Sequence, residues 1–307
     1  MSYVKVGDSL KYERLGKTSI RVSKIGLGTW QFGSSYWGWG KELDEDGAIK
    51  IIRRAIELGI NLIDTAEMYG NGKSEEVIGK ALKGLDRDEV VLATKVLPYP
   101  WRLTPHQVIK ALRGSMRRLG VSRIDLYQIH WPSPIFPLRG ALRALEREVE
   151  EGRVGGIGVS NFSVEQLERA RSYLSKVDLV SNQIEYNLLK RRAELDVIPH
   201  CLKEGISVIA YSPLAQGLLT GKYGPERGPK NVQRRIFLAL SYRKIDWDLI
   251  RRLEERAREM GLTPAQLAIA WVIRREGILA IPGAKSIEQL ESNFSASKVE
   301  LDPSTEI

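Results

Sequence analysis

Short apolar runs alternate with longer amphipathic stretches along most of this chain. The runs are almost continuously apolar, which is typical of strands buried on both faces of a parallel sheet. Eight strands, most of them followed by a helix, favour a (β/α)8 TIM barrel over an open doubly wound sheet. The predicted strands are residues 25–29, 61–65, 90–95, 124–130, 156–160, 179–184, 207–212 and 278–282.

The amphipathic stretches between these strands carry recognisable helix starts. Asp44 precedes one stretch, and Thr104 and Thr263 each stand directly before a proline. Ser163 is followed three residues later by Gln166, the spacing of a capping box. These starts strengthen the assignment of helices to the stretches between the strands.

The remaining segments complete a single domain. Residues 11–24 predict a β-hairpin ahead of the first barrel strand. The pattern contains no linker or repeat beyond the βα unit, so we expect residues 1–307 to form one domain. The stretch 216–244 reads as a long irregular loop after the seventh strand, and a loop of that length is usually a functional lid or cofactor clamp.

The net charge of +9 permits two interpretations. It could indicate a nucleic-acid or membrane surface, or a solvated basic exterior around a site for an anionic cofactor. The basic residues are spread along predicted helices and mix with Glu at helical spacing, without a block of like charge. We therefore expect neither a nucleic-acid nor a membrane partner, and the sequence leaves monomer and homo-oligomer open.

Targeting and cysteine content agree with a cytoplasmic location. No apolar run approaches the length of a bilayer span, and the first residues lack the apolar core of a signal peptide. The single Cys201 excludes an intrachain disulfide and a thiolate metal cluster, and we expect no metal site. Cys201 is most simply a small core residue near a helix end.

Chemically capable side chains follow three neighbouring strands. The second predicted strand ends at Asp64 and leads to Tyr69, the third ends at Lys95, and the fourth ends at His130. Each alone has a structural explanation, such as a cap, a snorkelling chain, a core aromatic or a hydrogen-bonded imidazole. Together they lie at the end of the barrel where active sites form, which favours a catalytic centre.

These four residue types form a coherent proton-delivery device. A carbonyl accepts hydride only if its oxygen receives a proton as negative charge develops there. Tyrosine has an ordinary pKa of about 10, so we expect a buried Lys95 to lower the pKa of Tyr69, with Asp64 holding the lysine charged. His130 would donate a hydrogen bond to the same oxygen.

The sequence resembles the aldo-keto reductase family, including its potassium-channel β-subunit branch, from Tyr12 to Glu300. Six segments carry the resemblance in order, and together they are far more specific than any one of them. They imply an oxidoreductase with Asp64, Tyr69, Lys95 and His130 as its tetrad. The segments are GLGTWQFG (26–33), NLIDTAEMYG (61–70), ATK (93–95), DLYQIH (125–130), GVSNF (158–162) and IPGAKS (281–286).

No G-x-G-x-x-G segment joins a strand to a helix, so the sequence does not predict a Rossmann site. The family resemblance instead indicates the cofactor. It implies an extended NADP(H), preferred over NAD(H), with Tyr211 stacked on the nicotinamide. Residues 212–223 would cover the pyrophosphate, and Lys285 at a helix start would bind the 2′-phosphate. The implied cofactor contacts are Gly28, Thr29, Trp30, Asp64, Ser160, Asn161, Gln183, Tyr211, Ser212, Pro213, Leu214, Gln216, Gly217, Leu219, Gly221, Lys222, Gly283, Lys285, Ser286, Gln289 and Asn293.

Aromatic residues concentrate in the loops after the first, third and fourth strands and suggest an apolar substrate pocket. Trp30, Trp101 and Trp131 are its candidate walls, although loop packing explains some of these aromatics equally well. Many relatives continue with a further helix and tail, so we expect a more open pocket here. The substrate would be a small carbonyl or alcohol.

Two other functions stay open at this point. One is a cofactor-sensing regulatory subunit, because the channel β-subunit branch keeps the same tetrad. The other is a barrel aldolase with Lys95 as a Schiff base. The carboxylate expected beside Lys95 argues against the aldolase, which would also leave the cofactor segments unexplained.

Overall fold

The computed structural model describes residues 5–6, 10–229, 232–242 and 245–307. Three short strands, β1 (Lys5–Val6), β2 (Tyr12–Arg14) and β3 (Arg21–Ser23), precede the barrel. Strands β2 and β3 pair as the predicted antiparallel hairpin. The barrel strands are β4 (Leu27–Gly28), β5 (Leu62–Asp64), β6 (Val91–Val96), β7 (Ile124–Ile129), β8 (Val154–Ser160), β9 (Leu179–Glu185), β10 (Ser207–Tyr211) and β11 (Ile278–Ala280), and β12 (Val299–Glu300) pairs with β1.

The eight barrel strands lie in sequence order, each parallel to the next. Parallel bridges from Ile25 to Ala280 and from Gly28 to Gly283 join the first strand to the last. The amide of Gly26 also donates to the Ala280 carbonyl at 2.8 Å. The predicted (β/α)8 barrel is confirmed, because the buried strands satisfy their backbone groups around a closed sheet.

In the described ranges ten α-helices surround or cap this sheet, with short 3₁₀ turns between them. The four predicted helix starts are confirmed: Asp44 accepts from the Gly47 amide, and Thr104, Ser163 and Thr263 form capping boxes. The helices are α1 (Glu45–Glu57), α2 (Lys73–Ala81), α3 (Pro105–Leu119), α4 (Leu138–Glu150), α5 (Val164–Arg171), α6 (Val197–Glu204), α7 (Val232–Ser241), α8 (Trp247–Glu259), α9 (Pro264–Val272) and α10 (Ile287–Ser295). The 3₁₀ turns are Ser35–Trp37, Tyr69–Gly72, Arg87–Glu89, Arg192–Glu194, Ala215–Thr220 and Ala296–Lys298.

The stretch 216–244 is not irregular throughout, contrary to the sequence-based prediction. It starts within a 3₁₀ turn and contains α7, because residues 231–242 hold neither glycine nor proline. Leu238 and Tyr242 are buried, and the Tyr242 hydroxyl donates to Glu185 Oε1 at 2.8 Å. Residues 230, 231, 243 and 244 of this stretch lie outside the described part.

The hairpin closes the N-terminal end of the barrel. Its fully buried Leu15 and Val22 join the apolar cluster that fills the interior of the strands. The amide of Gly16 donates to Ser207 Oγ at 2.8 Å, and the amide of Ser23 donates to Asn61 Oδ1 at 2.7 Å, both next to strand starts. The C-terminal ends of the strands are thus the open end.

A larger apolar cluster lies between the strands and the helices. Cys201 belongs to it, fully buried on α6, as expected for a core residue, and burial raises the pKa of its thiol to about 12. Within the described ranges, no helix combines the length and the apolar character that a membrane crossing would need.

Candidate active site

The strand ends open into a cleft of about 850 Å³. Asp64, Tyr69 and His130 line it, and Lys95 lies beneath them without any exposed surface. The structure therefore brings the four predicted tetrad residues together. They lie at or just beyond the carboxyl ends of β5, β6 and β7, three adjacent strands whose ends meet at one side of the barrel mouth.

A buried ion pair forms the floor of this cleft. Lys95 Nζ donates to Asp64 Oδ2 at 2.6 Å and to the Thr65 carbonyl at 2.8 Å. Two barrel amides hold the other carboxylate oxygen: Gln183 Nε2 donates to Asp64 Oδ1 at 2.8 Å, and Gln128 Nε2 donates to it at 3.2 Å. These contacts compensate a charge that would otherwise be costly to bury.

Tyr69 stands above the ion pair on a tight turn. Lys95 Nζ donates to its hydroxyl oxygen at 3.3 Å and lies 4.9 Å from the centre of its ring. The next residue, Gly70, has φ +56°, and a Cβ there would come within 2.7 Å of Gly33 Cα. Glycine is favoured at position 70 because the backbone of Gly33 leaves no room for a side chain and because the positive φ strains other residues.

The protonation of Tyr69 differs from the sequence-based expectation. Burial, followed by the negative charge of Asp64, raises the pKa of the phenol well above its ordinary value. The expected direction was wrong, because burial is the largest influence on this pKa and outweighs the stabilisation that the Lys95 ammonium offers the phenolate. Tyr69 is therefore a neutral phenol that holds its proton.

His130 completes the centre as a neutral imidazole. Its ring is 5.8 Å from that of Tyr69, edge to face, and only 7% of the residue is exposed. Burial, with a smaller contribution from Lys95, lowers the pKa of His130 well below its ordinary value. Among the described residues, Nδ1 has no hydrogen-bond partner. A neutral ring offers one donor and one acceptor to a molecule in the cleft.

The ends of β8, β9 and β10 supply a polar wall. Ser160 Oγ donates to the Gln183 carbonyl at 2.8 Å, and Asn161 Nδ2 donates to Ser160 Oγ at 2.9 Å. The Tyr211 hydroxyl donates to Asn161 Oδ1 at 3.0 Å. Hydrogen bonds thus fix the orientation of the amide and of the aromatic ring that line this wall.

Two further segments border the long axis of the cleft. One follows β10, where Ser212 and Gln216 adopt positive φ and Lys222 lies on the lining. The other runs from Gly283 into α10, where Asn293 Nδ2 donates to the Gly283 carbonyl at 3.3 Å. The predicted cofactor contacts that line the cleft are Gly28, Thr29, Trp30, Asp64, Ser160, Asn161, Gln183, Tyr211, Ser212, Pro213, Leu214, Gln216, Gly217, Lys222, Gly283, Lys285, Gln289 and Asn293.

Three predicted cofactor contacts lie outside the lining. Leu219 is fully buried in the core, and Gly221 approaches Glu254 and Pro264. Ser286 is the N-cap of α10, and its Oγ accepts from the Gln289 amide at 3.3 Å. In the structure Ser286 therefore caps the helix.

Two of the three predicted aromatic wall residues line the cleft, and one does not. Trp30 and Trp131 line the cleft and are 37% and 46% exposed. Trp101 lies outside the lining, stacked at 4.5 Å on Tyr99. Trp37, which was not among the predicted walls, lines the cleft and meets Trp30 edge to face at 5.1 Å.

Sequence reasoning did not assign several other lining residues. Glu185 lies two positions after Gln183 on the same strand, so the alternation of β9 could have indicated it. Ser241 comes from α7, whose position over the cleft no local pattern specifies. The unassigned lining residues are Gln31, Trp37, Met68, Glu185, Thr220, Ser241, Ala265, Ile281, Pro282, Glu288 and Ser292.

The chain is similar to known proteins along most of its length. The Aldo/keto reductase family model matches residues 24–305, which is nearly the whole chain. The chain belongs to this family. An uncharacterized oxidoreductase of Mycobacterium tuberculosis is 45% identical over 284 residues, covering 92% of this chain and 86% of the relative.

More distant members of the family carry more specific names. An NADH-specific methylglyoxal reductase of Escherichia coli is 32% identical, with 94% of this chain and 93% of the relative covered. A putative voltage-gated potassium channel subunit beta of Schizosaccharomyces pombe is also 32% identical, with 94% and 88% covered. The predicted resemblance to the aldo-keto reductase family, including its potassium-channel β-subunit branch, is confirmed.

Solved structures agree with this membership. A thermostable aldo-keto reductase in complex with the inhibitor epalrestat has a TM-score of 0.79 at 33% identity, with 96% of each chain covered. An aldo/keto reductase from Klebsiella pneumoniae, in complex with NADP and acetate, has a TM-score of 0.75 at 35% identity, with 96% of this chain and 92% of that chain covered.

Proposed function

We propose that this protein reduces aldehydes or ketones to alcohols with NADPH, and that Tyr69 is the general acid. The observation that carries the proposal is the position of Lys95, whose ammonium contacts both the Asp64 carboxylate at 2.6 Å and the Tyr69 hydroxyl at 3.3 Å at the floor of the cleft. Membership of an oxidoreductase family supports the same chemistry.

The residues of the cleft fit a nicotinamide coenzyme. Tyr211 presents a ring fixed by Asn161, and Asn161 and Gln183 offer amides to a carboxamide. At the other end, Lys285 and the start of α10 offer positive charge to a phosphate. The Klebsiella pneumoniae relative binds NADP, whereas the Escherichia coli relative is NADH-specific, so coenzyme choice is a property of each member.

When bound, NADPH supplies a hydride to the carbonyl carbon. Tyr69 donates its proton to the carbonyl oxygen as negative charge develops there, which completes the alcohol. The phenol, whose pKa burial raises, carries this proton at neutral pH. Lys95 stabilises the tyrosinate that remains, and neutral His130 donates a hydrogen bond that orients the carbonyl.

One rival function has an observation in its favour. The Schizosaccharomyces pombe relative is named as a potassium channel subunit, which supports a cofactor-sensing regulatory role. The aldolase alternative has less support, because the Lys95 ammonium already donates to Asp64, Thr65 and Tyr69. A lysine held charged in this way is a poor nucleophile.

The test follows reduced nicotinamide absorbance with an aromatic aldehyde as substrate. We expect Tyr69→Phe to lower kcat by about 10² to 10⁴, the usual contribution of a general acid, with nearly unchanged NADPH affinity. Tyr12→Phe, which removes a hydroxyl at the opposite end of the barrel, is the matched control. Full activity in Tyr69→Phe would refute the assigned acid. Tight NADPH binding without turnover across a broad carbonyl panel would favour the regulatory role.

A further inference from the structure

At the end of the cleft proposed to bind the 2′-phosphate, the lysine is already paired with an acidic side chain. Lys285 Nζ donates to Glu42 Oε2 at 2.6 Å, between residues 243 positions apart in the chain. The Lys285 side chain is 19% exposed, whereas that of Glu42 is 61% exposed. Lys285 is the lysine expected to bind the coenzyme's 2′-phosphate, so the ion pair lies where that phosphate would bind.

The loop between β4 and α1 places Glu42 there. The Glu42 amide donates to the Gly38 carbonyl at 2.7 Å. Gly38 has φ +88°, and a Cβ at this position would come within 2.8 Å of the Glu42 carboxyl carbon. The glycine therefore leaves room for the Glu42 side chain to lie along the turn and reach across to the strand end.

The two forms of the coenzyme differ at this point in charge. NADPH carries a 2′-phosphate with close to two negative charges, whereas NADH carries a neutral hydroxyl. NADPH must compete with Glu42 for Lys285, and the displaced carboxylate stays near the phosphate and repels it. NADH makes no such demand on Lys285. The same ion pair therefore weakens NADPH binding and leaves NADH binding almost unaffected.

We propose that Glu42 is a specificity-determining residue that reduces the preference of this protein for NADPH over NADH. The inference rests on the proposed function, because it assumes that the cleft binds a nicotinamide coenzyme. Exposed ion pairs are individually weak, so the effect is a moderate one. We expect Glu42→Gln to tighten NADPH binding about threefold to tenfold, equivalent to about 0.7 to 1.4 kcal/mol.

The experiment measures equilibrium dissociation constants for NADPH and NADH by quenching of protein fluorescence. Glu57→Gln is the matched control, because Glu57 is 62% exposed and pairs with Arg54 at 3.1 Å on α1. It makes the same charge change, with similar exposure, at a surface ion pair outside the cleft lining. We expect Glu42→Gln to tighten NADPH alone, with a gain that shrinks as salt is added, and Glu57→Gln to change neither coenzyme.

A second variant tests whether Lys285 transmits the effect. In a Lys285→Met background, Glu42→Gln should lose most of its effect, because the cation for which phosphate and carboxylate compete is gone. An unchanged NADPH-to-NADH affinity ratio in Glu42→Gln, or an equal gain for both coenzymes, would overturn this inference and leave the proposed function standing. Failure of the unmodified protein to bind either coenzyme would overturn both.

Discussion

The coupling energy between the buried Asp64 and Lys95 should be larger than that of a surface ion pair. A double-mutant cycle can measure this coupling. The three variants are Asp64→Asn, Lys95→Met and the two together. Asp64 is 2% exposed and Lys95 is not exposed at all. Each single variant leaves one buried charge without its partner, whereas the double variant leaves neither charge.

The separation of the two charges sets the expected magnitude. At 2.6 Å and an effective dielectric of about 20, the gross attraction is about 6 kcal/mol. The cost of removing both charges from water offsets most of this attraction. Removal of one partner from such a pair costs about 3 to 5 kcal/mol of unfolding free energy. We expect the double variant to lose about 2 to 3 kcal/mol less than the sum of the singles.

Urea denaturation at neutral pH, followed by far-UV circular dichroism and by tryptophan fluorescence, measures these free energies. The control cycle uses Lys11→Met and Glu300→Gln, a pair 2.7 Å apart but about half exposed, for which the coupling should be below about 1 kcal/mol. Single effects at Asp64 and Lys95 that add to within about 0.5 kcal/mol would refute the reasoning.

The pH dependence gives an independent check on the same pair. Burial lowers the pKa of Lys95, and Asp64 is the largest influence that raises it. In Asp64→Asn the folded-state pKa should fall further while the unfolded value stays ordinary, so raising the pH removes the buried charge from the folded state first. Asp64→Asn should therefore regain more stability than the unmodified protein between pH 7 and pH 9.

Two other variants test the remaining parts of the centre. The pKa of His130 is depressed, so its imidazole resists protonation in the folded protein. The free energy of unfolding should therefore fall as the pH falls below the ordinary histidine pKa, by up to about 1.4 kcal/mol per pH unit. His130→Gln should therefore lose less stability than the unmodified protein between pH 7 and pH 5 in urea titrations, and an equal loss would contradict the assigned burial. Gly70→Ala, which clashes with Gly33, should lower kcat for carbonyl reduction and cost about 1 to 3 kcal/mol, because the turn that carries Tyr69 must move. Gly84→Ala is its control, since φ there is +82° with open space around it, and equal effects on kcat would show that strain alone is responsible.

The sequence alone predicted the barrel and the set of side chains that the cleft brings together. Buried parallel strands need continuous apolar runs, and helices need caps, so both leave local signals such as Thr104 and its capping partner. The tetrad could be predicted for the same reason. Side chains that follow successive parallel strands meet at one end of the sheet, whatever loops separate them.

The tertiary structure decided which charges meet and which protons stay in place. The pairing of Glu42 with Lys285 joins residues 243 positions apart, and no periodicity encodes it. The raised pKa of Tyr69 depends on burial and on the nearby charge of Asp64, which are properties of the folded interior. Local patterns specify backbone conformation and the buried face of an element. Desolvation and long-range Coulomb interactions arise only once the chain has excluded water and brought distant segments together.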